Sequence, residues 1–327
     1  MRRPSQSSAP APTGRRRDLV LGRFIARRLL LAIPVLIGAS FIVFALVYAL
    51  PGDPIRALAG DRPLSPAVIA ELRDRYNLDD PLVVQYLKYL GGLVQGDLGV
   101  DFSGRSVSET IAQRLPVTLR LAVAAIIIEA VIGVLAGVLA GIRRNGFLDN
   151  LVLISTTLLV SIPVFVLAFT VQYFIGVKTG ILPISGLTQG WRSYVLPGLC
   201  LAALSLAYVA RLTRTSIVEN LRNDYVRTAR AKGLPERTVI GKHALRNSLI
   251  PVVTFLGADF GALMSGAIIT EGIFNLPGLG GAVFQAVRAQ EGALVVGVTT
   301  FFIFVYIFFN LLVDVLYAAL DPRIRYE

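Results

Sequence analysis

Six long apolar segments constrain what this sequence can fold into. A bilayer core about 30 Å thick is crossed by about 20 helical residues, and each segment approaches or exceeds that length. In chain order they cover residues 29–50, 119–142, 151–177, 194–210, 249–270 and 293–320. Lipid cannot satisfy backbone polar groups, so each segment must form a helix. The sequence therefore predicts an all-α polytopic membrane protein with six transmembrane helices.

The overall composition favours a membrane protein over a soluble one. Hydrophobic residues make up 54% of the 327, only 16% are charged, and the mean hydropathy is +0.67. A formal net charge of +11 would suggest nucleic acid for a soluble domain, but in an apolar chain it is typical of basic cytoplasmic loops. We therefore expect membrane lipid around the chain and no nucleic-acid partner.

The distribution of lysine and arginine predicts the orientation. With the N-terminus inside the cell, the inside segments hold 21 of the 32 basic residues, which is the bias that cytoplasmic loops show. Both termini and the stretch between the fourth and fifth spans are then cytoplasmic. We expect a disordered basic cytoplasmic tail over 1–22, a first transmembrane helix with an external cap over 23–114, a five-helix core over 115–320 and a cytoplasmic C-terminus over 321–327. An alternative role for the tail is binding to anionic lipid headgroups.

The external cap, residues 51–115, carries helix signals of its own. The PGDP stretch at 51–54 ends the first span, because proline cannot continue a helix. Amphipathic patterns predict helices over 64–78 and 79–96, and turns followed by a short helix over 96–111. The cap either packs over the helix ends or docks an external partner, and the two roles are compatible.

Small residues recur at intervals of four in two spans. Gly133, Gly137 and Gly141 share one helix face, and Gly257, Gly261 and Ser265 share another. Such spacing lets helices approach closely. It predicts tight packing within the bundle or against a partner subunit.

Three carboxylates lie at membrane depth: Glu129, Asp259 and Asp314. Each is costly there unless it is protonated, hydrogen-bonded or in contact with a wet pathway. Glu129 and Asp259 are therefore candidate pathway or intramembrane polar residues, whereas Asp314 is near the cytoplasmic end. A proton relay through them would make the chain a proton- or sodium-coupled secondary transporter, but no intramembrane Lys, Arg or His supplies a partner.

Catalytic motifs are missing from the sequence. It has no G-x-x-x-x-G-K-[ST] phosphate loop, no H-E-x-x-H, no C-x-x-C and no G-x-S-x-G. The single Cys200 and single His243 exclude an internal disulfide and a His cluster for metal. We expect a non-catalytic membrane subunit that binds no cofactor and no metal.

The basic stretch from Asp224 to Pro251 is longer than a simple turn requires. Asn223 or Asp224 caps a short helix, Gly233 ends it in the left-handed conformation, and Pro235 starts a second helix. Ala229 and Ala231 then form a small-residue face within a basic rim, which suits a groove on another protein. The alternative is a solvated loop or, in a receptor that transports nothing, a site for a signalling protein.

The same stretch carries a family resemblance. YVRTARAKGLPERTVIGKHALRNSLIPVV resembles the cytoplasmic coupling motif of bacterial ABC-importer permeases of the dipeptide/oligopeptide/nickel family. So do the ARRLLLAIPVLIGASFIVFAL and LDDPLVVQYLKYLGGLVQGDLG segments, the TEGIFNLPGLGG loop and the NLLVDVLYAALDPRIRY ending. The wider superfamily often has E-A-A-x-x-x-G at the coupling helix. This chain has Arg227, Thr228 and Ala229 before Gly233, so no motif glutamate is available for a role.

The resemblance implies a type I ABC-importer transmembrane domain in the bacterial inner membrane. Its partners would be a second homologous permease, cytoplasmic ATPases that bind ATP and Mg, an external substrate-binding protein and a peptide cargo. Alternative cargoes are oligopeptides, haem and nickel complexes. The coupling helix, at about 223–246, would dock on the ATPase through Tyr225, Arg227, Thr228, Ala229, Ala231, Lys232, Gly233, Leu234, His243 and Asn247.

Overall fold

The computed structural model describes residues 14–49, 55 and 65–320, and this part of the chain is almost entirely helical. No strand is found in these ranges, which hold one isolated antiparallel bridge between Val100 and Ser106. In chain order the α-helices are α1 Gly14–Tyr48, α2 Pro66–Arg75, α3 Leu82–Val94, α4 Val107–Ile128, α5 Val134–Ile142, α6 Phe147–Ser161, α7 Val164–Val171, α8 Val195–Asn220, α9 Asp224–Ala231, α10 Glu236–Thr238, α11 Leu245–Ile273, α12 Leu279–Arg288 and α13 Gly292–Leu320.

The prediction of six membrane-spanning segments is confirmed, with one change of shape. Five continuous helical segments are long and apolar enough to cross a bilayer. The predicted third span, 151–177, is instead a pair of helical segments, Phe147–Ser161 and Val164–Lys178, bent by 106°. α7 starts directly after Pro163, whose ring and missing N–H stop the preceding helix.

The two ends of the chain are only partly described. α1 begins at Gly14, so residues 14–22 of the predicted disordered tail are helical. The rest of that tail, the PGDP stretch at 51–54 and the C-terminus at 321–327 lie outside the described residues.

The predicted cap helices over 64–78 and 79–96 are present as α2 and α3. α3 packs on the first span, because the Tyr86 hydroxyl donates to the Ile37 carbonyl over 2.8 Å and lies 2.9 Å from the Ser40 hydroxyl. The predicted short helix over 96–111 is instead the start of α4, which continues unbroken into the second span. Its first turn is capped by the Ser106 hydroxyl, which accepts from Ser108 N–H at 3.2 Å.

The cap is also tied to the loop before the sixth span. Phe102 N–H donates to the Glu291 carboxyl over 2.6 Å. Burial raises the pKa of Glu291, although the Phe102 hydrogen bond opposes that shift. The cap therefore contacts both the first span and the last, which are far apart in sequence.

The fourth span, α8, lies at the centre of the bundle. It contacts the second span through α4 and α5, both halves of the third span, and α11 of the fifth. A Cβ built on Gly133 would lie 2.8 Å from Val209, and one on Gly141 would lie 2.7 Å from Ile217. These distances are shorter than carbon–carbon contact, so the second and fourth spans meet at backbone distance.

The second glycine face packs in the same way on the sixth span. A Cβ on Gly257 would lie 2.8 Å from Val313, and one on Gly261 would lie 3.0 Å from the Tyr306 Cα. The predicted close packing is confirmed for both faces, and each is occupied within this chain.

Replacing Gly137 by alanine tests the contact between the second and fourth spans. A new Cβ would lie 2.5 Å from the Thr213 Cβ and also meet the Ala210 carbonyl. We expect Gly137→Ala to destabilise the protein by about 1–3 kcal/mol, the usual cost of overpacking, seen as a lower melting temperature in detergent. Gly91→Ala is the matched control, because Gly91 is also helical but has nothing within 4 Å of a Cβ. It should leave stability equal or higher by up to about 1 kcal/mol, and equal losses in both variants would contradict the packing argument.

Candidate coupling site

The short helix α9 and its glycine turn form the centre of the basic stretch. Asn223 occupies the N-cap position with an extended backbone, but its side chain makes no capping hydrogen bond. At the other end Gly233 N–H donates to the Arg230 carbonyl over 2.9 Å, and Leu234 N–H donates to the Ala229 carbonyl over 3.4 Å. This is the Schellman pattern, which requires a left-handed residue. The φ of Gly233 is +75°, so the predicted left-handed glycine is confirmed.

One side of α9 is fixed to the start of the fifth span. Val226 and Ala229 are buried against Val239 and Ala244. The expectation that Ala229 faces a partner groove is therefore wrong, because its spacing of three from Val226 places both side chains on the inner face. Ala231 remains exposed.

An exposed ion pair spans the glycine turn. The Arg230 guanidinium donates to the Glu236 carboxylate over 2.6 and 3.2 Å. This hydrogen bonding raises the pKa of Arg230. The pair adds little stability in water, but it joins α9 to α10 across the glycine turn.

The outer face of α9 presents the remaining predicted residues to solvent. Arg227, Thr228 and Ala231 lie on the side away from Val226 and Ala229 and are exposed. The other exposed residues of the predicted site are Tyr225, Lys232, Gly233, Leu234 and Asn247, whereas His243 is half-buried in the π-helical segment Val239–Ala244. The structure thus brings together the α9 residues and their turn, while His243 and Asn247 lie beyond it on the following helix.

A buried ion pair that the sequence pattern did not reveal lies near this loop. The Arg214 guanidinium donates to Asp149 through Nε at 2.6 Å and Nη2 at 2.7 Å. Asp149 also accepts from Asn145 N–H at 2.8 Å and is 1% exposed. The pair links the first turn of α6 to α8, which ends at Asn220, shortly before α9. A lone Asp at the start of an apolar run was the available signal.

The intramembrane carboxylates have different surroundings. Glu129 is fully buried at the start of a π-helical segment, Glu129–Gly133, between α4 and α5. Its carboxyl interacts with that of Asp259 on α11, and Asp259 also interacts with Ser205 on α8. Asp314, by contrast, is paired with Arg28 of the first span at 2.9 Å.

A further buried carboxylate was missed in the stretch that precedes the sixth span. Glu271 is fully buried at the end of α11 and accepts from Gly281 N–H at 2.9 Å. Leu279 N–H donates to Thr118 of the second span over 2.8 Å. Together they hold the start of α12, a helix that the sequence pattern did not predict. A glutamate followed by a glycine-rich turn was the signal for it.

Comparison with known proteins agrees with this arrangement. Residues 133–326 match the family described as binding-protein-dependent transport system inner membrane component, and residues 21–122 match the N-terminal family of the same systems. The chain belongs to this family. It is the permease subunit of an ABC importer, with a type I importer membrane domain.

Curated relatives cover nearly the whole permease. It is 41% identical over 306 residues to the glutathione transport system permease protein GsiC of Escherichia coli (strain K12). It is 40% identical over 305 residues to the protein of that name from Salmonella typhi and 42% identical over 307 residues to that of Shigella flexneri serotype 5b. Each alignment covers 93% of this chain and 99% of the relative.

The break between α6 and α7 leaves backbone groups of the permease without regular helical hydrogen bonds. The 15 residues of α6 rise about 22 Å at 1.5 Å each, which is less than the hydrocarbon thickness of about 30 Å. The Ile162 N–H reaches the Leu159 carbonyl only at 3.4 Å, and Pro163 has no N–H to donate. Irregular backbone at this depth is tolerated where protein or water covers it, and not against lipid.

Replacing Gly233 of the permease by alanine tests the turn after α9. Nothing lies within 4 Å of a Cβ at Gly233, so only the positive φ opposes a side chain. We expect Gly233→Ala to weaken the turn by about 1–2 kcal/mol, seen as faster amide hydrogen exchange over 224–244. Gly241→Ala is the matched control, because Gly241 also has free space but no positive φ. Equal exchange in the two variants would contradict the assignment.

Proposed function

We propose that this permease is half of the translocation pathway of an ATP-driven importer of short peptides, and that α9 couples it to the cytoplasmic ATPase. The observation that carries the proposal is the asymmetry of α9. Its inner face is buried against the fifth span, and its outer face offers small side chains within a basic rim. A short rigid helix of this kind suits a groove on another protein.

The geometry also supports a route for the coupling. α9 contacts the π-helical segment Val239–Ala244, which is continuous with α11 in one helical run from Glu236 to Ile273. Movement of α9 would therefore act directly on the fifth span. The Asp149–Arg214 pair restrains the neighbouring ends of the third and fourth spans. A movement of α9 would therefore reach the fifth span without being absorbed by bending of those ends.

The proposed assembly follows from the orientation argued for the sequence. With α9 cytoplasmic, both termini are cytoplasmic, the protein lies in the bacterial inner membrane and the cap is external. The cytoplasmic ATPases bind ATP and Mg, an external substrate-binding protein docks on the cap, and a second homologous permease completes the pathway. We place the break at Ile162 and Pro163 on that pathway, where water or the second permease satisfies its backbone.

The cargo proposal rests on the relatives. They are named glutathione permeases, and glutathione is a short peptide. We therefore propose a peptide of two or three residues as cargo, with oligopeptide, haem and nickel complexes as the alternatives.

Reconstituted uptake tests the function. The chain has no phosphate loop, so the permease alone should neither hydrolyse ATP nor transport. With its second permease, ATPase and binding protein in vesicles, we expect uptake of radiolabelled dipeptide or glutathione that requires ATP. Nickel and haem are the cargo controls. Uptake by the permease alone under a proton or sodium gradient would replace this mechanism with secondary transport.

A bulky side chain on the outer face of α9 tests the coupling. Ala231 is exposed, so Ala231→Trp should leave the bundle folded while it fills the space that the partner occupies. We expect ATPase association at least about tenfold weaker, equivalent to about 1.4 kcal/mol, measured by co-purification and titration, with a matching loss of uptake.

The matched control is Ala70→Trp, the same change at an exposed position of α2 in the cap. It should leave ATPase association unchanged. Wild-type ATPase association in Ala231→Trp would remove α9 from the interface, even if uptake remained ATP-dependent.

A further inference from the structure

The Glu129–Asp259 pair lies where the second, fourth and fifth spans meet. Glu129 is completely buried, and in the described chain neither of its carboxyl oxygens receives a hydrogen bond from a donor group. One oxygen of Asp259 is likewise buried and without a donor. Glu129 also begins a π-helical segment, a rare feature that is frequent at functional sites. The group that faces Glu129 is therefore the carboxyl of Asp259, and no cation of the described residues forms an ion pair with either.

The charged side chains on the neighbouring elements have other partners. On α8, Arg211 donates to the Ala207 carbonyl and Arg214 is held by Asp149. On α11, Glu271 accepts from Gly281 N–H, and on α13 Asp314 pairs with Arg28. One turn after Ser205 on α8, the ring of Tyr208 packs on the ring of Phe255 of α11. None of the ion pairs found in the described ranges includes Glu129 or Asp259.

Two ionised carboxylates in such a site would repel each other, and both oxygens of Glu129 and one of Asp259 would have no donor among the described residues. A buried like-charge pair resolves this by keeping one proton, which belongs to the pair and not to either residue. The proton also supplies an O–H donor between the two carboxyls. A metal ion fits less well, because Ca²⁺ takes six to eight oxygen ligands and Mg²⁺ requires an octahedral set. The described residues bring two carboxyls and the Ser205 hydroxyl together here, and no metal-binding group of three or more His, Cys, Asp or Glu is found among them.

We propose that Glu129 and Asp259 form a proton-binding site, and that one shared proton is required for the second and fifth spans to pack as they do in this structure. Loss of the proton would place two negative charges between α4–α5 and α11. The fifth span is continuous with the segment that α9 contacts, so the site controls the packing of a helix that reaches the coupling loop. This proposal concerns the folded permease itself and needs neither a cargo nor an ATPase.

The test compares the full-length protein in lipid nanodiscs with the double variant Glu129→Gln/Asp259→Asn. Infrared spectroscopy should show a protonated carboxylic-acid carbonyl band in the wild type that decreases by one carboxylic acid in the variant. The melting temperature gives the second measurement. The folded state holds a proton that the unfolded chain releases, so the wild type should lose stability as pH rises. The slope for one proton is a change of about tenfold per pH unit in the ratio of folded to unfolded protein.

The control is Asp314→Asn, which removes an intramembrane carboxyl that is paired with Arg28 instead. It should keep both the acid band and the alkaline loss of stability, whereas the double variant should show the smaller band and lose that part of the pH dependence. If the double variant does not accumulate, Glu129→Gln and Asp259→Asn are measured singly. Each leaves one carboxyl beside an amide donor, so each should show the same decrease. A wild type whose acid band is no larger than that of the variants would overturn the proposal.

Discussion

The close contact of the second span with the fourth is the interaction on which the rest of the bundle depends. Gly133, Gly137 and Gly141 bring α5 and the preceding π-helical turn against the backbone of α8. α8 in turn contacts both halves of the third span and α11 of the fifth. In a membrane no hydrophobic force drives helices together, so this dispersion contact at backbone distance is what organises the neighbouring spans.

The same central helix sets the position of the coupling loop, residues 221–235, which contains α9. α8 ends at Asn220, and only three residues separate it from α9. Arg214 anchors that end of α8 to Asp149, and Val226 and Ala229 anchor α9 to the fifth span. The loop is therefore fixed at both of its ends, as the proposed transmission of force to an ATPase requires.

Much of this arrangement could be predicted from the sequence, because it follows from local rules. Span positions follow from apolar length, the Gly233 turn from the need for a positive φ, and the glycine faces from a spacing of four. The inner position of Ala229 could not be predicted in this way, since an alanine suits either side of an eight-residue helix. Ala229 is buried because it packs against Val239 and Ala244, which come later in the chain. The i,i+3 spacing from Val226 was the available clue.

The break in the third span shows a second limit. Proline at 163 ends a helix, yet Pro34, Pro116 and Pro251 lie inside α1, α4 and α11 without ending them. A proline in an apolar run therefore predicts a weak point, and the surrounding contacts decide whether the helix bends there. The sequence alone contains the proline but not those contacts.

Three buried carboxylates show how the free-energy cost of burying a charged group is offset in different ways. Asp149 has a guanidinium opposite it, Glu271 receives a backbone N–H at the start of α12, and Glu129 has only another carboxyl. In the first two arrangements a guanidinium or a backbone N–H supplies a donor to the carboxyl. A carboxyl pair is different, since its stability depends on a proton that solvent supplies. Beside the glycine contacts and these two anchors, the described part of the bundle thus has the proposed proton-binding junction of Glu129 and Asp259, where the packing of the second span on the fifth would vary with pH.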